Sequence, residues 1–548
     1  MFFRKKKVGK YEYLQIVESY RNKEGSIRQK VMLTLGNLQE LQIKGKLDSL
    51  LESGAKFSEK LAIISEHKAG KSTPVKCLHM GPDLIFRRLW KELGIGEAIK
   101  RVLEDHKYQF GVERAIYHTV MHRLFGSGSD RSSLIWKKNI SLDGTEGIDL
   151  QHLYRAMGFL GEPCKDQTLK SRFAPRCNKD IIEELLFEKR HDLFTRLDMV
   201  FFDTTSVYFE GEGGENIGQY GNSKDHRPDR KQMVIGVVID EKGIPICCEM
   251  WPGNTADVTT LKEVVKRFKR CFCVRNVCIV ADRGMISKEV TDFLESPESS
   301  FSYILGVRLR AVKEVREHVL TAVGDYQEIK PTTSRHCPLK VKEVFYNKRR
   351  YVICLNEVQA RKDAHDREAI IEALKDKLKQ GDKSLVGNKG YKKYLKVSGK
   401  KHFEIDENKI RSEELFDGKW VLTSNTDMSP VELAKQYKNL WMVENIFRTM
   451  KSALETRPIY HKVDDTIRGH VFCSFLAILL RRELERRMEV KGYDFEWNNI
   501  LYDINSVEEV TADISGKRVI FRSELKGCAG KVFQAAGVAI PPAVKFDV

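Results

Sequence analysis

Apolar and polar positions change period several times along the chain, and each change predicts a different kind of element. Residues 1–36 alternate strand-like runs with turns, KYEYLQIVESY, RNKEG and SIRQKVMLTLG, and predict a β-hairpin with a charged outer face. A helical stretch to about residue 65 and a linker, HKAGKSTP, follow. From 80 to about 198 the apolar period is helical and the polar positions are basic, most clearly in AIYHTVMHRLF and DIIEELLFEKRHDLFTRL. Short apolar runs then take over. MVFFD ends in Asp203, QMVIGVVID turns at EKG into IPICCEMW, and NVCIVAD and FSYILG alternate with the helical VTTLKEVVKRFKR and SKEVTDFLES. Three strands in a meander followed by helix, strand, helix and strand predict a mixed α/β sheet, in the order of a ribonuclease-H-like core.

That core is interrupted from 307 to 427, where the strand-like pieces LKVKEVFY, RRYVICLN, KHFEID and KWVLTSN and a charged helix near 357–379 predict a β-rich insertion. Within it, residues 383–403 carry seven lysines, two tyrosines and no acid, a composition suited to nucleic acid. A helix is predicted over 429–451. Ser429 is its N-cap, Pro430 its first residue, and Glu432 completes an S-x-x-E capping box. Val443, Ile446, Phe447 and Met450 form its packing face. Tyr437, Trp441, Glu444, Arg448 and Lys451 form a separate polar stripe, which a regular helix would align along roughly 21 Å of its axis. GHVFCSFLAILLRRELERRM reads as a buried core helix, and 492–548 as a small mixed α/β tail. The expected divisions are a hairpin and helix at 1–68, a basic helical DNA-binding domain at 69–197, core segments at 198–306 and 428–491, the insertion at 307–427 and the tail at 492–548.

Composition narrows the partner. With 548 residues the chain exceeds what one core organises, and 94 Lys and Arg against 77 Asp and Glu give a net charge of +17. A polyanion follows as the expected ligand, with nucleic acid ahead of an anionic membrane surface. The longest apolar run, 471–480, is about half of the ~20 residues a spanning helix needs, and MFFRKKKVGKYEY lacks the apolar segment of a secretory signal. A cytoplasmic, nucleoid-associated protein is expected. Twelve cysteines without a C-x-x-C pair argue against a zinc ribbon or a disulfide framework. His118 and His122 share a helical face without a third ligand.

Asp203, Asp282 and Glu444 are the candidate chemistry, two aspartates at expected strand ends and a glutamate on a helix able to pack on that sheet. Hard carboxylate oxygens suit Mg²⁺ or Mn²⁺, and two such ions ~3.5–4 Å apart serve phosphodiester displacement. Carboxylates so crowded repel, and cations relieve the conflict.

FFDTTSV, IVADRGM and Y-x₆-E-x₆-K resemble the DDE transposases of bacterial insertion sequences, of the insertion-sequence-four type, over about 198–488. YGNSKDHRPDRKQ and WPGNTADVTT resemble one branch of that group. The resemblance implies that Asp203, Asp282 and Glu444 bind metal and that Tyr437 and Lys451 contact DNA phosphates. The signature's arginine falls on Leu440, with Arg448 or Arg283 as substitutes. It also implies cut-and-paste transposition, by water attack at the transposon end and 3′-hydroxyl attack on target DNA. The expected partners are double-stranded DNA with terminal inverted repeats and a second copy of the chain, as a homodimer or higher multimer. In a hairpin route Trp251 or Trp441 would stack on a flipped base, although burial is the commoner role for such a side chain. Two rivals remain. One is a domesticated DNA-binding protein that does not cut. The other, a haloacid-dehalogenase-like phosphatase, needs an aspartate where Thr205 stands.

Overall fold

The computed structural model describes residues 1–22, 26–43, 45–55, 75–126, 128–167, 175–190, 197–274, 277–297, 299, 301–329, 339–379, 393–398, 402–514 and 517–546. The linker at 67–74 and most of the lysine-rich strip, 383–392 and 399–401, lie outside them. The chain forms two compact units, Met1–Met80 with Ser506–Gly527 and Ile540–Val548, and Gly81–Asn505 with Cys528–Ala539.

In the first unit the expected hairpin is a three-stranded antiparallel sheet. β1 (Phe2–Val8) pairs with β2 (Tyr11–Arg21), which pairs with β3 (Ile27–Asn37). β1 contains Lys5, Lys6 and Lys7, whose charge masks the strand pattern, and Gly9 at φ +60° closes the turn into β2. β4 (Val75–His79) belongs to a second, four-stranded sheet of this unit.

The second unit is built on a nine-stranded mixed sheet. β5 (Met199–Tyr208), β6 (Gln232–Asp240) and β7 (Pro245–Pro252) form the antiparallel meander, and β8 (Cys278–Ala281) and β9 (Ser302–Gly306) run parallel to β5. The segment expected as an insertion supplies four strands to this same sheet. β10 (Gln327–Ile329), β11 (Leu339–Tyr346), β12 (Arg349–Leu355) and β15 (Lys419–Ser424) join it through the antiparallel β15–β9 pair. Among the described residues of this segment, only β13 (Leu395–Ser398) and β14 (His402–Ile405) form a separate hairpin. β16 (Glu508–Ile514), β17 (Lys517–Arg522) and β18 (Val544–Phe546) complete the four-stranded sheet with β4.

β5, β6 and β7 are buried almost throughout, and Phe202, Val238, Trp251, Leu261, Val265, Phe268, Ile279 and Leu305 share one core with the helices Asp257–Arg270 and Lys288–Glu295. That burial of apolar area, at about 25 cal/mol per Å², is what holds β5 and β8 in fixed register. The helix Asp464–Val490 runs through the unit with 471–480 fully enclosed, packed on the helices Leu150–Gly161 and Val112–Phe125. Gly469 permits the close approach, because a methyl there would overlap the Met157 carbonyl. Among the described residues no helix is long and apolar enough to cross a membrane.

The single helix expected over 429–451 is divided. Ser429 does cap it, with its hydroxyl accepting the Glu432 amide and Glu432 accepting the Ser429 amide at 3.0 Å. Pro430–Lys438 then gives way to a tight turn in which Leu440, Met442 and Val443 amides reach carbonyls three residues back. Trp441–Arg448 follows, and Thr449–Ala453 opens into a π-turn. Each change of pitch rotates what comes after it, so the polar stripe is not continuous.

Candidate active site

β5 does not end at Asp203, as the MVFFD pattern suggested. It stays paired with β6 through Tyr208, and it is β8 that stops, at Ala281 opposite Phe202. Asp203 is therefore the first β5 residue beyond the end of β8, and Asp282 the first residue after that end. Parallel register sets the two side by side. Burial pushes the Asp203 carboxyl up to about 6; Lys224 and the Thr204 amide pull it down, and Asp282 and Asp257 push it up. Its Oδ1 accepts the Thr204 amide at 2.7 Å.

Asp282 is oriented from across the sheet. Tyr437, on the helix Pro430–Lys438, donates its hydroxyl to Asp282 Oδ1 at 2.9 Å. Burial first, and then the Asp282 charge, drives the Tyr437 hydroxyl far above its ordinary range, so it stays a donor. Gly306, the last residue of β9, makes room, since a side chain there would overlap the Tyr437 hydroxyl and lie 2.9 Å from the Arg283 amide. Arg308 holds the turn after Asp282 by donating to the carbonyls of Arg283 at 3.0 Å and Gly284 at 2.5 Å.

Two residues of the loop between β5 and β6 complete the surroundings. Lys224 donates to the Thr204 carbonyl at 2.7 Å and hydroxyl at 2.9 Å, and pairs with Asp257 at 3.4 Å. Asp257 also accepts the Thr204 hydroxyl at 2.8 Å. Asp225 pairs with Lys451 at 2.8 Å and with Arg457 at 3.5 Å. Asp203 and Asp282 thus offer hard carboxylate oxygens of the kind a divalent cation takes.

The region that holds this geometry, residues 195–480, matches the family described as Transposase DDE domain. The chain belongs to the DDE transposases. Residues 3–67 match the family described as IS1634 family transposase, N-terminal domain, which corrects the expected insertion-sequence-four subgroup. No curated protein matches. Among solved structures, a piggyBac transposase synaptic complex with hairpin DNA is similar at 11% identity, over 78% of this chain and 79% of that chain, with a TM-score of 0.39. As a DDE transposase the chain is an enzyme of DNA cleavage and joining, and the family's chemistry uses divalent metal ions.

Most of the other expected residues of the transposase lie on the divided helix and differ in exposure. Glu444 is exposed on Trp441–Arg448, a helix that packs against β5 and β6. Asp203, Asp282 and Glu444 do not converge within 4.8 Å of one another. Arg283 and Arg448 are exposed, whereas Lys451 is largely enclosed. Leu440 is buried, in keeping with its apolar side chain. Trp251 is in the core, but Trp441 is 57% exposed, contrary to the burial expected of it.

Sequence reasoning did not single out Lys224, Asp225, Thr204 or Asp257. The signal was present, because YGNSKDHRPDRKQ and WPGNTADVTT contain three of them. It also missed Asp130, His461 and His470, the one group of possible metal ligands gathered within 4.8 Å among the described residues. Arg123 donates to His470 Nδ1 at 2.8 Å, and His461 approaches Asp130 at 3.3 Å. A guanidinium occupies the approach a cation would need, and the cluster fits a buried hydrogen-bond network instead. His118 and His122 are buried side chains, His118 meeting Ser133 at 3.0 Å.

Proposed function

We propose that Asp203, Asp282 and Glu444 are the metal-binding triad of a cut-and-paste transposase with a ribonuclease-H-like core. The observation that carries the reading is the matched register of β5 and β8, which puts Asp203 and Asp282 at one sheet edge with Tyr437 bonded to Asp282. The order of the meander β5–β6–β7 followed by parallel β8 and β9 supports the core assignment. Two Mg²⁺ ions, when bound, supply activation of the attacking oxygen and neutralisation of the leaving one. The chain's own part is to hold Asp203 and Asp282 in place before the metal arrives, with Glu444 brought to them from its exposed position. Tyr437 fixes Asp282, and the Thr204 amide fixes Asp203. Arg283 and Arg448 offer exposed cations to the phosphates flanking the cut.

The DNA is double-stranded and carries terminal inverted repeats at the excised ends, with target DNA as the second substrate. A homodimer or higher multimer pairs the two ends, acting in the cytoplasm on the nucleoid, and the basic helices of 81–190 bind DNA outside the cut. Asp203→Asn, Asp282→Asn and Glu444→Gln are each expected to abolish end cleavage with end binding retained in a gel-shift assay. Cleavage at the wild-type rate by any one of them removes that residue from the triad.

A further inference from the structure

We propose that Lys224 and Asp225 form a two-sided staple that keeps the Asp203 strand and the Glu444 helix in register, which makes Lys451 a positioning residue rather than a DNA contact. The inference rests on the metal-centre reading above.

An ammonium group has three protons to donate. Those of Lys224 face the Thr204 carbonyl at 2.7 Å, the Thr204 hydroxyl at 2.9 Å and Asp257 at 3.4 Å, so the side chain is committed within the fold. Thr204 in turn donates its amide to Asp203 and its hydroxyl to Asp257. Lys224 thus holds, by its carbonyl and hydroxyl, the residue whose amide the Asp203 carboxylate accepts. The next residue takes different partners. Asp225, 9% exposed, takes Lys451 at 2.8 Å and Arg457 at 3.5 Å. Lys451 lies in the π-turn Thr449–Ala453, directly after the helix of Glu444, and that helix packs on β5 and β6. Two consecutive loop residues therefore grip both arms of the centre. A lysine that reads a phosphate needs an accessible ammonium, yet Lys451 is only 13% exposed while Arg448, one turn earlier, faces solvent.

Removing one member of a buried pair strands the other charge, so the decisive variant neutralises both. Asp225→Asn with Lys451→Met, in the full-length chain, is compared with Lys451→Arg, Lys224→Met and Asp203→Asn. End-DNA binding is measured across salt, Mn²⁺ binding by electron paramagnetic resonance, and cleavage in single turnover. The staple requires that the double variant keep the wild-type DNA affinity and salt slope. It should bind Mn²⁺ about 10-fold more weakly, as loss of supporting contacts does, and cleave about 10²-fold more slowly, as a misplacement near 1 Å does. Lys451→Arg should cleave normally, and Lys224→Met should lose cleavage with its salt slope intact. A salt slope reduced by about one with Mn²⁺ binding unchanged makes Lys451 a phosphate contact and overturns the staple. Wild-type Mn²⁺ binding and cleavage in the double variant, with Asp203→Asn inactive, overturns the staple alone. Normal cleavage by Asp203→Asn removes the metal centre and the staple with it.

Discussion

Asp203 and Tyr437 show how far single side chains depend on neighbours remote in sequence. The Asp203 carboxyl, ordinarily near 3.8, is pushed up to about 6 by burial and by two nearby aspartates, against the pull of Lys224. For a carboxyl raised in the fold the native state holds the proton more firmly than the unfolded chain. Stability from this group is therefore full below about pH 4, falls as pH rises to about 6, and is level above it, a change of about 3 kcal/mol without metal. Chemical denaturation of chelated wild type and Asp203→Asn between pH 4 and 7 should show a decline larger in wild type by about that amount, with buried Glu183, also raised to about 7, contributing to both. Tyr437→Phe leaves Asp282 without its donor at 2.9 Å. Its Mn²⁺ affinity should drop about 10-fold, as loss of an outer-shell partner does, with the salt slope of DNA binding unchanged in a titration series. An altered slope would return Tyr437 to the phosphate-contacting role that the Y-x₆-E-x₆-K resemblance implies.

At the scale of elements, local signals were read correctly wherever they were satisfied locally. Ser429, Pro430 and Glu432 specify a helix start within four residues, and the capping box forms as the sequence predicts. Ser429→Ala should cost about 1 kcal/mol, seen as a lower midpoint in thermal unfolding. The polar stripe failed for the opposite reason. Its alignment required an unchanging pitch over 429–451, but burial of Leu440 and Val443 accompanies a tight turn, and Met450 one of wider pitch. Tyr437 consequently reaches Asp282, Lys451 reaches Asp225, and Glu444 faces solvent. Likewise MVFFD looked like a complete strand because Asp203 interrupts its apolar run, whereas pairing with β6 carries β5 to Tyr208.

For the whole molecule, the net charge of +17 and the proposed metal centre should make separable contributions to DNA handling. Chelation should stop end cleavage while leaving salt-sensitive end binding intact, and added Mg²⁺ should restore cutting; loss of binding on chelation would instead make the metal part of the DNA-binding surface. The sequence by itself determined the class of partner, the meander followed by parallel strands, the two aspartates and the capped helix, because charge, hydrophobic period and capping are properties of short stretches. Tertiary structure alone decided that 307–427 extends the sheet through β15, that Asp203 and Asp282 meet with Tyr437 admitted by Gly306, and that Lys224 and Asp225 tie the loop to both arms. Those outcomes depend on strand pairing and buried polar partners from 79 to 226 residues apart, where Asp203 is set beside Asp282 and Asp225 finds Lys451. No local period encodes such pairings; they are fixed by which buried charges find counterparts once the core has closed.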